Sequence, residues 1–192
     1  MGKPDPSLIA SLVAQVGEDP GREGLVDTPE RTARAWAEWT SGYGVDPMSV
    51  LKTFEDGAQN YDALVFQGGI SLFSLCEHHM APFFGVAHIG YIPSGRVVGL
   101  SKLARLVDVF ARRLQVQERL TVQVARALHE ALQPRAVGVV LECRHLCMES
   151  RGIQRAGTVT KTSALLGEFR HEPEARAEFM SMVNASRQAS VL

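Results

Sequence analysis

The chain has 192 residues, of which 45% are hydrophobic, and this length and composition suit one compact domain with a full core. Its 20 basic and 21 acidic residues leave a net charge of −1, which argues against a general nucleic-acid binder. No apolar run approaches the roughly 18 residues of a membrane span, and the N-terminal residues carry no export signal, so we expect a cytoplasmic protein.

Helical patterns predominate in residues 1–60, which we treat as an N-terminal helical segment. Apolar positions at helical spacing predict a helix over residues 7–16. Thr28 before Pro29 has the residue types of an N-cap followed by proline in the first turn, so a second helix is predicted to begin there. A short third helix is expected around residues 47–54.

The pattern changes at about residue 61, where strands begin to alternate with longer helices. The order strand–strand–helix–helix–strand–strand predicts an α+β catalytic domain over residues 61–192, with an antiparallel four-stranded sheet covered by two long helices on one face. The predicted strands are 70–75, 83–92, 136–148 and 159–165, and the predicted helices are 101–114, 117–132 and 174–183.

Two short segments carry residues with metal-ligand chemistry. Cys76 and His79 are three positions apart, a spacing that lets a thiolate and an imidazole converge on one ion from a turn. Alternation along the strand 136–148 places Cys143, His145 and Cys147 on one face. Because Cys143 and Cys147 would be ~13 Å apart on an extended strand, only one of them can join the same ion. We assign Cys143 to the core and Cys147, at the polar end of the strand, to the metal.

Three ligands describe a catalytic rather than a structural zinc site, since a structural site is closed by four protein ligands. His78 and His145 lie beside the predicted ligands and are not needed to hold the ion. Their ordinary pKa is near neutrality, which suits proton transfer to and from a metal-bound water. The alternative is that both histidines only support the ligands structurally.

Cations cluster at three places that can bind a polyphosphate. Ser101, Lys102 and Arg105 open a predicted helix, where free backbone N–H groups also favour anions. Arg151 follows the cysteine-containing strand, and Arg31 lies near the start of the second helix. The alternative for Lys102 and Arg105 is an ordinary solvated helix face.

Gln117 and Glu118 lie between the two long predicted helices. A carboxylate there can accept hydrogen bonds from the N1–H and 2-amino groups of guanine, a donor pair that adenine lacks. The alternative is that Glu118 pairs with Arg119 or caps the helix.

Several long motifs occur in one order along the chain, and together they resemble the GTP cyclohydrolase I family. The resemblance extends from about residue 27 to the terminal helix. The segments that carry it are 74–85, 90–93, 99–105, 113–121 and 145–152.

The resemblance implies a tunnelling-fold subunit in a ring-shaped homodecamer, with each active site at a subunit boundary. It also implies a reaction in which GTP and water give formate and 7,8-dihydroneopterin triphosphate, the first step of tetrahydrofolate and pterin biosynthesis. The implied cofactor is Zn²⁺, and neither nucleic acid nor membrane is an expected partner.

Carried over by motif position, the resemblance implies a role for each candidate residue. The implied zinc ligands are Cys76, His79 and Cys147, and the implied catalytic histidines are His78 and His145. The implied substrate-binding residues are Gln117 and Glu118 for guanine, Ser101, Lys102, Arg105 and Arg151 for the triphosphate and ribose, and Arg31 for the phosphates.

Two other functions remain compatible with these residues. One is a relative on the same scaffold with another product, for example an enzyme that stops at ring opening. The other is a non-catalytic zinc-binding scaffold, which predicts a fourth protein ligand and no formate release.

Overall fold

The computed structural model describes residues 2–55 and 60–189, with side chains described through residue 186. Asp5 and Asp46 cap the first and third helices, since each carboxylate accepts a hydrogen bond from the backbone N–H two residues later. The N-terminal helices are α1 (Pro6–Gln15), α2 (Thr28–Trp39) and α3 (Pro47–Val50), with a 3₁₀ turn at Ser41–Gly44.

The predicted N-cap at Thr28 is wrong by one position. Thr28 is the first residue of α2, and Asp27 occupies the N-cap position without a side-chain capping bond. The Asp27 carboxylate makes no capping bond because it accepts a hydrogen bond from the Arg31 guanidinium at 2.7 Å instead. Such exposed pairs four residues apart stabilise a helix by only a few tenths of a kcal/mol.

The centre of the molecule is a five-stranded sheet. Its strands are β2 (Val65–Cys76), β3 (Pro82–Ile92), β5 (Leu114–Gln115), β6 (Ala136–His145) and β7 (Val159–Gly167), while β1 (Thr53–Phe54) and β4 (Val97–Val98) pair separately. The strand order in the sheet is β5-β2-β3-β6-β7. The four long strands are antiparallel neighbours, as predicted, and the short β5 adds a parallel pair with the end of β2.

The main hydrophobic core lies between the sheet and two helices, α4 (Leu100–Ala111) and α5 (Gln117–Leu132). Leu106 of α4 and Leu128 of α5 are fully buried against Leu72, Ile89 and Leu141 of the sheet. Burying each such side chain contributes about 1.5–3 kcal/mol. This arrangement places the first turn of α5 next to the ends of β2 and β6, which is where the candidate site forms.

The other face of the sheet is also covered, which differs from the expected one-sided packing. The short helix α7 (Glu168–His171) and the terminal helix α8 (Pro173–Ala189) bury Phe169 and Phe179 against it. Phe179 fits because a Cβ atom at Gly90 or Gly138 would lie 2.7 Å from its ring. Among the described residues, no helix is long and apolar enough to cross a membrane.

Two predicted elements end earlier than expected, and both ends lie beside the site. The strand predicted to reach residue 148 stops at His145, where the chain turns into the short helix α6 (Leu146–Glu149). The helix predicted to reach residue 114 ends at Ala111. Leu114 then pairs with Leu75 as part of β5, which joins the start of α5 to the end of β2.

Candidate metal centre and active site

The turn between β2 and β3 brings two of the predicted ligands together. The turn is stabilised by backbone hydrogen bonds to Cys76, whose carbonyl oxygen accepts from the N–H groups of His79 and Met80. The turn places Nδ1 of His79 3.8 Å from Sγ of Cys76. Met80 adopts a φ of 52°, which is uncommon for a residue other than glycine and reflects the tightness of this turn.

The third predicted ligand arrives from β6. Because Phe83 pairs with His145 across the sheet, the end of β6 lies beside the β2–β3 turn, and α6 then carries Cys147 towards it. The ligand atoms of Cys76, His79 and Cys147 all lie within 4.8 Å of one another. Among the described residues, this is the group of Cys, His, Asp and Glu side chains that could hold a metal ion.

The donor set of two thiols and one imidazole fits a borderline-soft ion such as zinc, and three protein donors leave a position for another ligand. Burial and the neighbouring Cys76 thiol raise the pKa of Cys147, while the Arg151 guanidinium acts in the opposite direction. A bound cation would outweigh the first two effects, because thiols coordinate as thiolates.

Cys143 is separate from this group, as predicted. Its side chain is only 1% exposed and belongs to the core between the sheet and α5. Burial, with a smaller contribution from Glu142, raises the pKa of its thiol to about 12. The sharp turn after β6 therefore separates the environments of Cys143 and Cys147.

His145 is held between the sheet and α5. Its ring stacks on Phe83 with centroids 4.8 Å apart and an interplanar angle of 10°. Its Nε2 lies 2.8 Å from Oε1 of Gln117. Burial lowers the pKa of His145, and the negative charge of Glu118 opposes this effect.

His78 lies on the outer side of the same turn, with its side chain 65% exposed. Its Nδ1 is 3.8 Å from Sγ of Cys76, on the solvent side of the group. Next to it, Arg119 donates two hydrogen bonds to the Glu77 carboxylate, at 2.6 and 2.8 Å. This ion pair joins the turn to the first turn of α5.

The substrate-binding candidates differ in their contacts with the metal group. Arg151 contacts Nε2 of His79, and the charge of Glu118 acts on the pKa of His145. Arg31 instead pairs with Asp27 on α2. Within the described part of the chain, no hydrogen bond or ion pair connects the remaining candidates to the group; these are Ser101, Lys102 and Arg105 on the first turns of α4.

The structure adds residues that the sequence pattern did not single out. Phe83 stacks on His145, while Thr160 and Thr162 of β7 accept hydrogen bonds from the Gln117 amide. Glu77 joins Arg119, whereas the sequence suggested Glu118 as the partner of Arg119. The separation of these pairs along the chain, 42 residues for Glu77 and Arg119, explains why spacing rules gave no signal for them.

The family model and the similar known proteins point to the same family. A sequence model described as GTP cyclohydrolase I matches residues 7–184. A protein named GTP cyclohydrolase 1 from Nitrosospira multiformis is 59% identical over 174 residues, covering 91% of each chain. Proteins of the same name from Janthinobacterium sp. and Corynebacterium glutamicum are 58% and 56% identical, covering 89% and 92% of this chain and 86% and 90% of their own.

Proposed function

This chain belongs to the GTP cyclohydrolase I family, and from this premise we propose how its residues carry out the reaction. The chain is a hydrolase of pterin and folate biosynthesis that acts on GTP and water. The products are formate and 7,8-dihydroneopterin triphosphate. The observation that carries the mechanism is the placement of Cys76, His79 and Cys147 within 4.8 Å of one another, at the end of the strand that carries His145.

We assign a zinc ion to Cys76, His79 and Cys147. Zinc supplies a Lewis acid that activates water for attack on the guanine ring. The donor set supports zinc, and the three-ligand count supports a catalytic site. Thiols that must stay reduced to bind a metal also support a cytoplasmic location.

Guanine recognition is assigned to Glu118, at the exposed start of α5. Glu118 is exposed and follows Gln117, whose amide oxygen contacts His145, so we place the guanine bonded to Glu118 beside His145. The resemblance pairs Glu118 with Gln117, but the amide of Gln117 is 1% exposed and bonded within the chain. The exposed carboxylate is therefore the better match to the N1–H and 2-amino donors of guanine.

Proton transfer is assigned to the two histidines beside the metal ligands. His78 is exposed next to Cys76, where it can deliver a proton to an imidazole nitrogen of guanine as the bond to C8 breaks. His145, half-buried and held in place by Phe83, can accept and return protons as formate leaves and the opened ribose rearranges. Hydrolysis at C8 releases that carbon as formate.

The phosphates are assigned to Ser101, Lys102 and Arg105 on α4, to Arg31 on α2 and to Arg151, which contacts His79. Among the described residues, no hydrogen bond or ion pair joins the candidates on α4 and α2 to the metal ligands of their own chain. A site that takes them from a neighbouring copy of the chain would bring both sets together. This supports a tunnelling-fold ring, of which a decamer is the family form, with residues 61–192 as the catalytic domain and residues 1–60 as a helical appendage.

The reaction is tested by supplying GTP to the purified, zinc-loaded protein. We expect formate and a pterin that becomes fluorescent after oxidation, in equal amounts. ATP is the matched control, because it lacks both donors that Glu118 would recognise, and it should release no formate. Formate without a pterin would indicate an enzyme that stops at ring opening, and neither product would contradict the assignment.

The shared site is tested by mixing two inactive variants, Cys147→Ala and Arg105→Ala. If Arg105 serves a neighbour's zinc site, about one quarter of the sites in a randomly mixed ring combine an intact zinc cluster with an intact cation. We therefore expect about a quarter of wild-type activity from the mixture. Activity and ring composition would be measured together, the latter by native mass spectrometry.

The matched control mixes Cys147→Ala with Cys76→Ala. Both lesions fall in a cluster that a single chain builds, so no combination of these subunits restores a complete zinc site. The control should remain inactive. Verified mixed rings of Cys147→Ala and Arg105→Ala without activity would contradict the placement of Arg105 in a neighbouring site.

A further inference from the structure

The side-chain amide of Gln117 is held in one orientation by its surroundings. The residue begins α5 and is 1% exposed. Its Nε2 donates to the carbonyl oxygens of Leu141 and Thr160, at 3.2 and 3.0 Å, and to Oγ1 of Thr162 at 3.1 Å. Since carbonyl oxygens only accept hydrogen bonds, the amide nitrogen must face these two carbonyl groups. The reversed orientation would place the amide oxygen of Gln117 against both carbonyl oxygens, with no donor between them.

This orientation determines which atom of Gln117 faces His145. The amide oxygen is directed at Nε2 of His145, at 2.8 Å. An amide oxygen cannot donate, so Nε2 of His145 must be the protonated ring nitrogen. In the neutral imidazole the lone pair then belongs to Nδ1.

The amide is itself anchored by residues outside the site. Oγ1 of Thr121 donates to the backbone oxygen of Gln117 at 2.7 Å and lies 2.6 Å from Oγ1 of Thr162. Phe83 holds the plane of the imidazole from the other side by stacking. The His145 ring is therefore restrained in both its plane and its hydrogen-bonding partner.

We propose that Gln117 is a positioning residue that fixes His145 in the Nε2–H tautomer and makes Nδ1 the atom that accepts a proton during the reaction. Gln117 acts through His145 and does not bind guanine directly. This inference depends on the proposed proton-transfer role of His145 for its catalytic consequence, but the tautomer itself is a property of the protein without substrate.

The primary test is the tautomer of His145, observed by solid-state ¹⁵N NMR of histidine-labelled, zinc-loaded protein about two pH units above the ordinary histidine pKa of about 6.5. The His145 signals are assigned by their loss in His145→Asn. In the wild type we expect a protonated Nε2 and an unprotonated Nδ1. In Gln117→Met, which keeps the side-chain length and removes the acceptor, we expect a mixture of the two tautomers.

Gln115→Met is the matched control. Gln115 is also 1% exposed, and its amide donates to the Phe110 carbonyl and to Gln123 rather than to His145. Its replacement removes a buried amide of the same size and should leave the His145 signals as in the wild type. If Gln117→Met does not fold, Gln117→Asn withdraws the acceptor by one methylene and keeps a polar group in the buried site.

The kinetic test separates positioning from substrate binding. Loss of a group that orients a catalytic side chain typically costs about 10–100-fold, so we expect kcat of Gln117→Met to fall by that factor while KM for GTP changes less than about threefold. A raised KM with an unchanged kcat and an unchanged tautomer would instead assign Gln117 to guanine recognition and overturn the proposal.

The two proposals fail in different ways. A wild-type His145 with a protonated Nδ1 overturns the positioning role, whatever the activity. A wild-type protein with the expected tautomer but without formate release overturns the proposed function and leaves the orientation of His145 by Gln117 intact.

Discussion

Replacing Cys147 by alanine is expected to remove the metal and turnover together. The variant keeps only Cys76 and His79 of the three donors, and two donors on one turn do not enclose an ion. Losing the Lewis acid removes several kcal/mol of transition-state stabilisation, which corresponds to at least about a 10³-fold loss of kcat. Bound zinc is measured by elemental analysis, and formate release is measured on the same sample.

Cys143→Ala is the matched control, because it also removes a cysteine thiol, four positions earlier in the chain. Cys143 is buried in the core and belongs to no metal-capable group of the described residues. The control should retain a full complement of zinc and near wild-type turnover, with a small loss of stability from the cavity. Full zinc in Cys147→Ala would contradict the assignment of Cys147 to the metal. Loss of zinc from Cys143→Ala would instead indicate Cys143 as a ligand.

Replacing either His78 or His145 by alanine is expected to abolish most turnover and leave the metal in place. Neither histidine is one of the three grouped donors, yet His78 lies beside Cys76 and His145 ends the strand that leads to Cys147. A positioned acid or base typically contributes about 10²–10⁴-fold, so we expect kcat to fall by that range. The measurement pairs zinc content with the rates of formate release and pterin formation.

His129→Ala serves as the control for a histidine without a role. His129 lies on the exposed side of the last turn of α5, far along the helix from Gln117. Its replacement should change neither zinc content nor rate. Wild-type turnover in His78→Ala or His145→Ala would indicate that the histidine has only a structural role. Loss of zinc from either variant would indicate that the histidine is a metal ligand.

Elements with a strong local pattern agree closely with the structure. The predicted helix over residues 117–132 coincides with α5, and the strand predicted over 83–92 differs from β3 by one residue at its start. Helical and strand periodicity are properties of neighbouring positions, so they can be read without knowledge of the fold. The grouping of Cys76 with His79 is local for the same reason, and the structure places their ligand atoms together.

The end of β6 illustrates where local patterns mislead. Three apolar residues follow His145 and allow the strand to be extended to residue 148, yet the chain turns into α6 at Leu146. The turn is stabilised by Arg144, which donates two hydrogen bonds to the nearly buried Glu149 carboxylate at 2.9 and 2.6 Å. The sequence assigned Cys147 to the metal because of its place at the polar end of an extended strand, whereas the structure brings it to the other ligands after a turn, in α6.

The sequence by itself determined the types of the long helices and strands, the three candidate metal ligands and, through the resemblance, the family. The tertiary structure decided how the surroundings of those ligands are arranged: the bond between Gln117 and His145, the stacking of Phe83, and the contact of Arg151 with His79. The physical reason is the distance along the chain over which each kind of signal acts. Periodicity and i, i+3 spacing act within a few residues, whereas the register of β3 with β6 and the seating of α5 on the sheet bring together side chains that no spacing rule connects.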